Sequence, residues 1–210
     1  MFRKDKIVEI SKKIYQNGYV AAYDGNISAK NDEKTYFITR TAKCKGELTE
    51  EDIVLIDFDG NIVSGNHKPS TEYKIHSIFY KNRDDVKAVI HCHPIHITTL
   101  SVLDIDRIEV EILPEVYLNL GEIAICEYQT PSTHELAKSI EKYIDKNVFI
   151  LKNHGAVTVG KTLEEAYYRM EKFEHFAQIY LLAKQFGNIK KLTSSQLEQL
   201  KIIAQTVYKS

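Results

Sequence analysis

Two pairs of short strand-like runs lie so close together in the chain that their pairing is decided before anything else. "GNISAK" (25–30) and "TYFITR" (35–40) are four residues apart, and "NVFIL" (147–151) reaches "GAVTVG" (155–160) through "KNH". A parallel pair needs a crossover of a dozen or more residues, so strands joined this tightly pair antiparallel. "IVLIDFDGNIVSG" (53–65) adds a third hairpin, with "DG" at 59–60 as its turn. Two further strands read from "VKAVIHCH" (86–93) and "EIAICEY" (122–128).

Helical patterns interleave with these strands. Ile7, Ile10 and Ile14 share one helical face, and "NG" at 17–18 ends that helix. Ser70 caps a helix running to about Asn82, and residues 94–103 form a short one. "STHE" (132–135) and "TLEE" (162–165) have capping-box spacing, the second opening a helix to about Phe186. "TSSQLEQLKIIAQTVY" (193–208) is the last helix. The class is α/β with much of the sheet antiparallel. Lacking a repeat or a low-complexity linker, residues 1–210 read as a single domain.

Charge narrows the partners. With 28 basic against 29 acidic residues, neither nucleic acid nor an anionic membrane is expected. Apolar runs of a few residues are far too short for a membrane span. The opening "MFRKDKIVEISKK" alternates charged and apolar residues, the pattern of an amphipathic helix and not of a secretory signal. Three widely spaced cysteines, Cys44, Cys92 and Cys126, fit reduced cytosolic thiols better than a disulfide framework. In that compartment the sequon at Asn26 carries no meaning.

Chemistry concentrates in "AVIHCHPIH" (88–96). Alternate residues of a strand point the same way, so His91 and His93 share a face while Cys92 takes the other. Two imidazoles on one rigid face supply adjacent corners of a zinc tetrahedron, at Zn–N distances of about 2.0–2.1 Å. A bare HxH is as often a core histidine beside a solvated strand end, so other clusters must decide. "KNHG" (152–155) sets His154 at a hairpin tip, where scaffold-held loops carry function. "KPSTEYKIH" (68–76) offers Ser70, Thr71 and Glu72 at a helix start, read either as a plain cap with an acidic first turn or as an anion site with a carboxylate alongside. His67, His76, His96, His134 and His175 read as surface residues, helix-face residues or supports behind a site.

"GAVTVGKT" (155–162) matches the G-x-x-x-x-G-K-[ST] phosphate loop letter for letter. Val157, Thr158 and Val159 speak against it, because β-branched residues favour extended strand over the turns that cradle phosphate. The stretch is expected to be a strand, a glycine turn and a helix cap at Thr162.

"GNIS" (25–28), "ITRTAKCKGELTEEDIVLID" (38–57), "PSTEYKIH" (69–76), "AVIHCHPIH" (88–96) and "KNHGAVTVGKTLEEAY" (152–167), with the long helix after them, resemble the class II aldolase/adducin family in its L-fuculose-phosphate aldolase-like branch. Their order and gaps match from about residue 4 to 186. The resemblance implies a three-layer α/β/α fold with a mostly antiparallel central sheet, in a cytoplasmic homotetramer of four-fold symmetry with sites between subunits. It implies His91, His93 and His154 as ligands of Zn2+, although imidazoles also accept manganese or cobalt. It places Glu72 as the acid/base carboxylate and Asn26, Thr41, Ser70 and Thr71 on a substrate phosphate.

The implied reaction is reversible cleavage of a ketose 1-phosphate, such as L-fuculose 1-phosphate, to dihydroxyacetone phosphate and a short aldehyde. L-Ribulose-5-phosphate 4-epimerase and methylthioribulose-1-phosphate dehydratase are the alternatives; Glu72 stands against the first, where aspartate is usual. An adducin-like assembly module is the non-enzymatic alternative. Two departures stand out. The family's "TPSG"-like loop reads "TRTA" (39–42) here, with Arg40 for proline and Ala42 for glycine. The position where fuculose-phosphate aldolases carry a catalytic tyrosine falls near Leu113, with Tyr117 close by and Tyr208 in the tail as candidate phenols that no motif places.

Overall fold

The computed structural model describes residues 4–207. Helix α1 (Lys4–Gln16) leads into hairpin strands β1 (Asn26–Lys30) and β2 (Thr35–Thr39), then β3 (Ile53–Asp57) and β4 (Ile62–Ser64). Helix α2 (Tyr73–Asn82) precedes β5 (Ala88–Cys92), followed by α3 (Ile95–Ser101), α4 (Pro114–Asn119) and β6 (Ala124–Cys126). Helix α5 (His134–Glu141), the hairpin β7 (Val148–Leu151) and β8 (Gly155–Gly160), α6 (Leu163–Phe186) and α7 (Ser194–Val207) complete the chain.

The eight strands form one sheet in the order β4-β3-β2-β1-β5-β8-β7-β6. Every pairing is antiparallel except β6 with β7, and the short joins account for β1–β2, β3–β4 and β7–β8. β6 is shorter than the run from 122 to 128 promised, because only Ala124–Cys126 find ladder partners on β7.

Strand alternation divides the core into two layers. Ile27, Ala88, Ile90, Cys92 and Ile150 pack with Ile10 and Ile14 of α1, Ile97 of α3 and Phe173 and Phe176 of α6. On the other face Val89, Phe149, Val157 and Val159 pack with Ile75 and Phe79 of α2 and Leu136 and Ile140 of α5. The result is the expected three-layer α/β/α arrangement. Cys92 and His91 thus face opposite layers, as the strand period demands.

Two helix starts differ from the capping pattern. α5 is capped by Thr133, whose Oγ1 accepts from the Leu136 N–H, and not by Ser132. Ser132 has a left-handed backbone (φ 67°) that turns its hydroxyl away to donate to Thr71 Oγ1. At α2 the cap position falls on Glu72, and Ser70 Oγ instead accepts from the Glu72 N–H in the turn before it. Thr162 does cap α6, accepting from the Glu165 N–H at 3.0 Å. The phosphate-loop lookalike is strand β8, buried at all six positions and laddered to β5 and β7. Its backbone groups serve the sheet. Among the described residues, no helix is long and apolar enough to cross a membrane.

Candidate metal centre

The site gathers where β1, β5, the β7–β8 turn and the start of α2 meet. Asn26, first residue of β1, pairs directly with His91 on β5. His93 lies just past the end of β5, its N–H donating to the Tyr19 carbonyl. His154 sits in the turn between β7 and β8, where Asn153 adopts a left-handed φ of 56°. Two glycines let these segments close up. A Cβ at Gly25 would stand 2.8 Å from the His91 carbonyl oxygen, and one at Gly155 would stand 2.6 Å from the Cys92 carbonyl oxygen and from His93 Cδ2. The "GN" and "HG" pairs are therefore conditions for packing the histidine segments together.

The three imidazoles converge. One nitrogen from each of His91, His93 and His154 lies within 4.8 Å of the others, and the ring centroids are 4.7–5.0 Å apart. His91 Nδ1 donates to the Ala156 carbonyl at 2.9 Å, which leaves Nε2 as the ring's free nitrogen. His93 Nε2 stands 3.1 Å from His91 Nε2, and the Asp24 carboxylate faces His93 Nδ1 at 3.6 Å. Around a zinc ion with Zn–N bonds of about 2.0–2.1 Å, tetrahedral nitrogens sit roughly 3.3–3.4 Å apart, close to this separation. Two imidazole nitrogens held so near repel unless a proton or a cation lies between them.

Glu72 closes the cluster. Its Oε2 lies 3.3 Å from His91 Nε2 and accepts from Asn26 Nδ2 at 2.9 Å; its Oε1 lies 3.5 Å from His154 Nε2. Both Glu72 Oε1 and His154 Nδ1 are buried without a hydrogen-bond partner. Burial alone would push the Glu72 carboxyl up, but His91, His154 and the Asn26 amide outweigh it and hold the group well below the usual carboxylate range. Burial, aided by the charge on His91, drives His93 down to about 3 and His154 to about 4, so both rings stay neutral. For His91 burial opposes the charge, yet the facing Glu72 carboxylate raises its pKa. His93 and His154 thus offer neutral rings, and His91 has its Nδ1–H fixed on a carbonyl and an Nε2 that can give up its proton to a metal. With an ionised carboxylate and orphaned polar atoms, they make a donor set that fits a divalent transition metal.

A cleft of about 350 Å3 opens onto this cluster, lined among others by Asn26, Thr41, Ser70, Thr71, Glu72, His93 and His154. Thus the residues singled out in the sequence meet at one place, with His91 fully buried behind the opening. Asn26 contributes less freely than expected, since its amide is already committed to Glu72 and His76. Ala42, where the family pattern has glycine, holds the left-handed φ of 52° that glycine would favour. Arg40 also lines the cleft; its guanidinium touches Asp52 and His67 at 3.4 Å each, and its Nε is buried without a partner.

Sequence reasoning missed Ser132 and Pro131, which join the cleft from the loop before α5, and Asp24 beside His93. Only the left-handed turn at Ser132 brings that loop in, and no local pattern announces it. Tyr117 lies on α4 in a separate hollow with Lys201 and does not line the cleft; Tyr208 lies outside the described residues.

Comparison with known proteins bears on the family and the fold. An L-fuculose phosphate aldolase from Methanocaldococcus jannaschii is 38% identical, over 85% of this chain and 96% of its own. A 3-oxo-tetronate 4-phosphate decarboxylase from Haemophilus influenzae is 29% identical, over 94% and 95%. A solved L-fuculose 1-phosphate aldolase superposes with a TM-score of 0.87 at 30% identity, covering 96% of this chain and 95% of that one. Residues 5–181 match the family described as Class II Aldolase and Adducin N-terminal domain, and the chain belongs to it.

Proposed function

We propose that the protein is a metal-dependent aldolase that cleaves a ketose 1-phosphate reversibly to dihydroxyacetone phosphate and a short aldehyde such as lactaldehyde or glycolaldehyde. The observation that carries this reading is the convergence of His91, His93 and His154 beside Glu72 where the cleft opens onto them. The three imidazoles hold the metal, zinc in this reading, which when bound supplies Lewis-acid stabilisation of the negative charge left on the ketone fragment.

The remaining work falls to side chains. Thr41, Ser70 and Thr71, together with Asn26, take the substrate phosphate within the cleft. Among the described residues lining the cleft, Arg40 alone of the lysines and arginines supplies positive charge, in a lining that also holds the carboxylates of Asp24 and Glu72. Anchoring the phosphate aligns the bond to be cleaved with the Glu72 carboxylate. Glu72 then removes the proton from carbon in synthesis, a role suited to a carboxyl kept ionised by its neighbours. In cleavage it returns to that carbon a proton equivalent to the one lost from the substrate hydroxyl that becomes the aldehyde. In this reading the whole chain acts as one domain within a cytoplasmic homotetramer. Exposed Ile95, Val102 and Phe186 give such an assembly apolar surface.

The decarboxylase relative supports one competing reaction, loss of carbon dioxide from a phosphorylated 3-oxo acid, which leaves the same kind of charge on a ketone fragment. Purified protein incubated with a panel of ketose 1-phosphates, ribulose 5-phosphate, methylthioribulose 1-phosphate and a 3-oxo-tetronate 4-phosphate separates the readings by product. Aldehyde release from a ketose 1-phosphate is expected. An epimer, a dehydrated sugar or carbon dioxide as the main product overturns the aldolase assignment, and no product at all favours the adducin-like module.

A further inference from the structure

A buried polar ladder runs from Glu72 into the core. Asn26 and Ser28 alternate on one face of β1, while Glu72, His76 and Tyr80 follow at four-residue spacing along the start and inner face of α2. The two faces interdigitate. Tyr80 Oη and Ser28 Oγ are 2.6 Å apart, Ser28 Oγ and His76 Nδ1 2.6 Å, His76 Nε2 and Asn26 Oδ1 2.5 Å, and Asn26 Nδ2 and Glu72 Oε2 2.9 Å. Ser28 and His76 are fully buried, and Tyr80 and Asn26 very nearly so.

Only one set of proton positions satisfies every contact. Burial drives His76 down to about 3, so the ring is neutral and carries one N–H. Were that proton on Nδ1, Asn26 would have to turn its NH2 toward His76 and its carbonyl oxygen toward the Glu72 carboxylate, setting two acceptors 2.9 Å apart. With the proton on Nε2, Tyr80 donates to Ser28, Ser28 to His76 Nδ1, His76 to Asn26, and Asn26 to Glu72. All four bonds point one way and end on the carboxylate, so each polarises the next.

We infer that His76, held by Ser28 and Tyr80, is a positioning residue for the proposed cleavage: it fixes the Asn26 amide and through it the plane of the Glu72 carboxylate. This rests on the aldolase reading of Glu72 and goes beyond it. The ladder ties down Oε2 and leaves Oε1, the oxygen without a partner, as the one oxygen free of it. A change at His76 therefore acts on turnover through Glu72, and on phosphate binding only through Asn26. Thr41, Ser70, Thr71 and the histidine cluster make no hydrogen bond with the His76 ring.

The test compares His76→Gln with His76→Leu in metal-loaded protein. The Gln amide nitrogen can replace Nε2 as donor to Asn26, whereas Leu cannot donate at all. The expected result is a loss in kcat of about 10–100-fold for His76→Leu, with a smaller change in KM through Asn26 and metal content within twofold of the parent, and recovery of most of the kcat loss in His76→Gln. Tyr80→Phe, at the far end, is expected to lose only a few-fold, and it serves if His76→Leu does not fold. Equal kcat in His76→Leu and parent, equal losses in Leu and Gln, or an unchanged Tyr80→Phe where Leu is unfolded, overturns the inference. A second readout needs no turnover. Nitrogen-15 NMR of the histidine rings should show His76 as the Nε2–H tautomer from pH 5 to 8, with a slowly exchanging proton. An Nδ1–H tautomer or a charged ring overturns the ladder even in an active enzyme. Parent protein inactive on every sugar phosphate, with the Nε2–H tautomer in place, sinks the aldolase reading and leaves the ladder standing.

Discussion

The two faces of the central sheet obey the same alternation, yet they are made of different material. Toward α1, α3 and α6, residues such as Ile27, Ala88, Ile90 and Cys92 form a continuous apolar layer. Toward α2 the same strands, one residue out of phase, present Asn26, Ser28 and His91, all almost fully buried. A polar group taken out of water costs free energy unless it is paired, so the second face is tolerable only because its groups satisfy one another. One face holds the fold together; the other spends part of its packing on chemistry. Adjacent residues on β5 belong to different halves of that division, which makes it easy to test.

The largest effect is expected at His91. In His91→Ala the metal content of purified protein should fall to near zero and cleavage by more than about 10³-fold, as elemental analysis and an aldehyde assay would show. Retention of one metal per chain would break the division, because a residue on the polar face would then be mere packing. Next comes Glu72→Gln, expected to keep its metal while losing turnover by about 10²-fold or more, the range that a positioned acid/base group supplies. Full turnover in that variant would remove Glu72 from its role.

Ile90→Ala tests the other face at the neighbouring position. It should lower unfolding stability by about 2–5 kcal/mol in denaturant titration, with metal content and kcat per folded molecule unchanged. Loss of metal in a still-folded Ile90→Ala would show that the two faces are not separable. The smallest effect is expected at Arg40, on the rim. Arg40→Ala should raise KM for the phosphorylated substrate about tenfold, the scale of one charge-assisted hydrogen bond, with kcat little changed. An unaltered KM would assign Arg40 to its contacts with Asp52 and His67.

Much of this division was legible beforehand because strand periodicity is local. The opposite facing of His91 and Cys92 follows from the alternation of β5, and the antiparallel sheet follows from loops too short to cross over. What stayed hidden depended on contacts between segments far apart in the chain. Nothing near Asn26 says that it will pair with His91, 65 residues on, so the commitment of its amide to Glu72 could not be foreseen. The four-residue spacing of Glu72, His76 and Tyr80 was in plain view, but it gains meaning only opposite the two-residue spacing of Asn26 and Ser28. Ser132 was misread as a helix cap because a single left-handed residue redirects its hydroxyl into the cleft.

The account depends most on the polar face being built to hold a divalent cation, and metal analysis of the purified wild-type chain addresses this with least interpretation. Protein purified without chelator, then exhaustively dialysed, should retain one transition metal per chain; stripping it should abolish aldehyde release, and added zinc should restore it. A chain that carries no metal even after incubation with zinc, or cleavage undiminished by stripping, would contradict the account at its root.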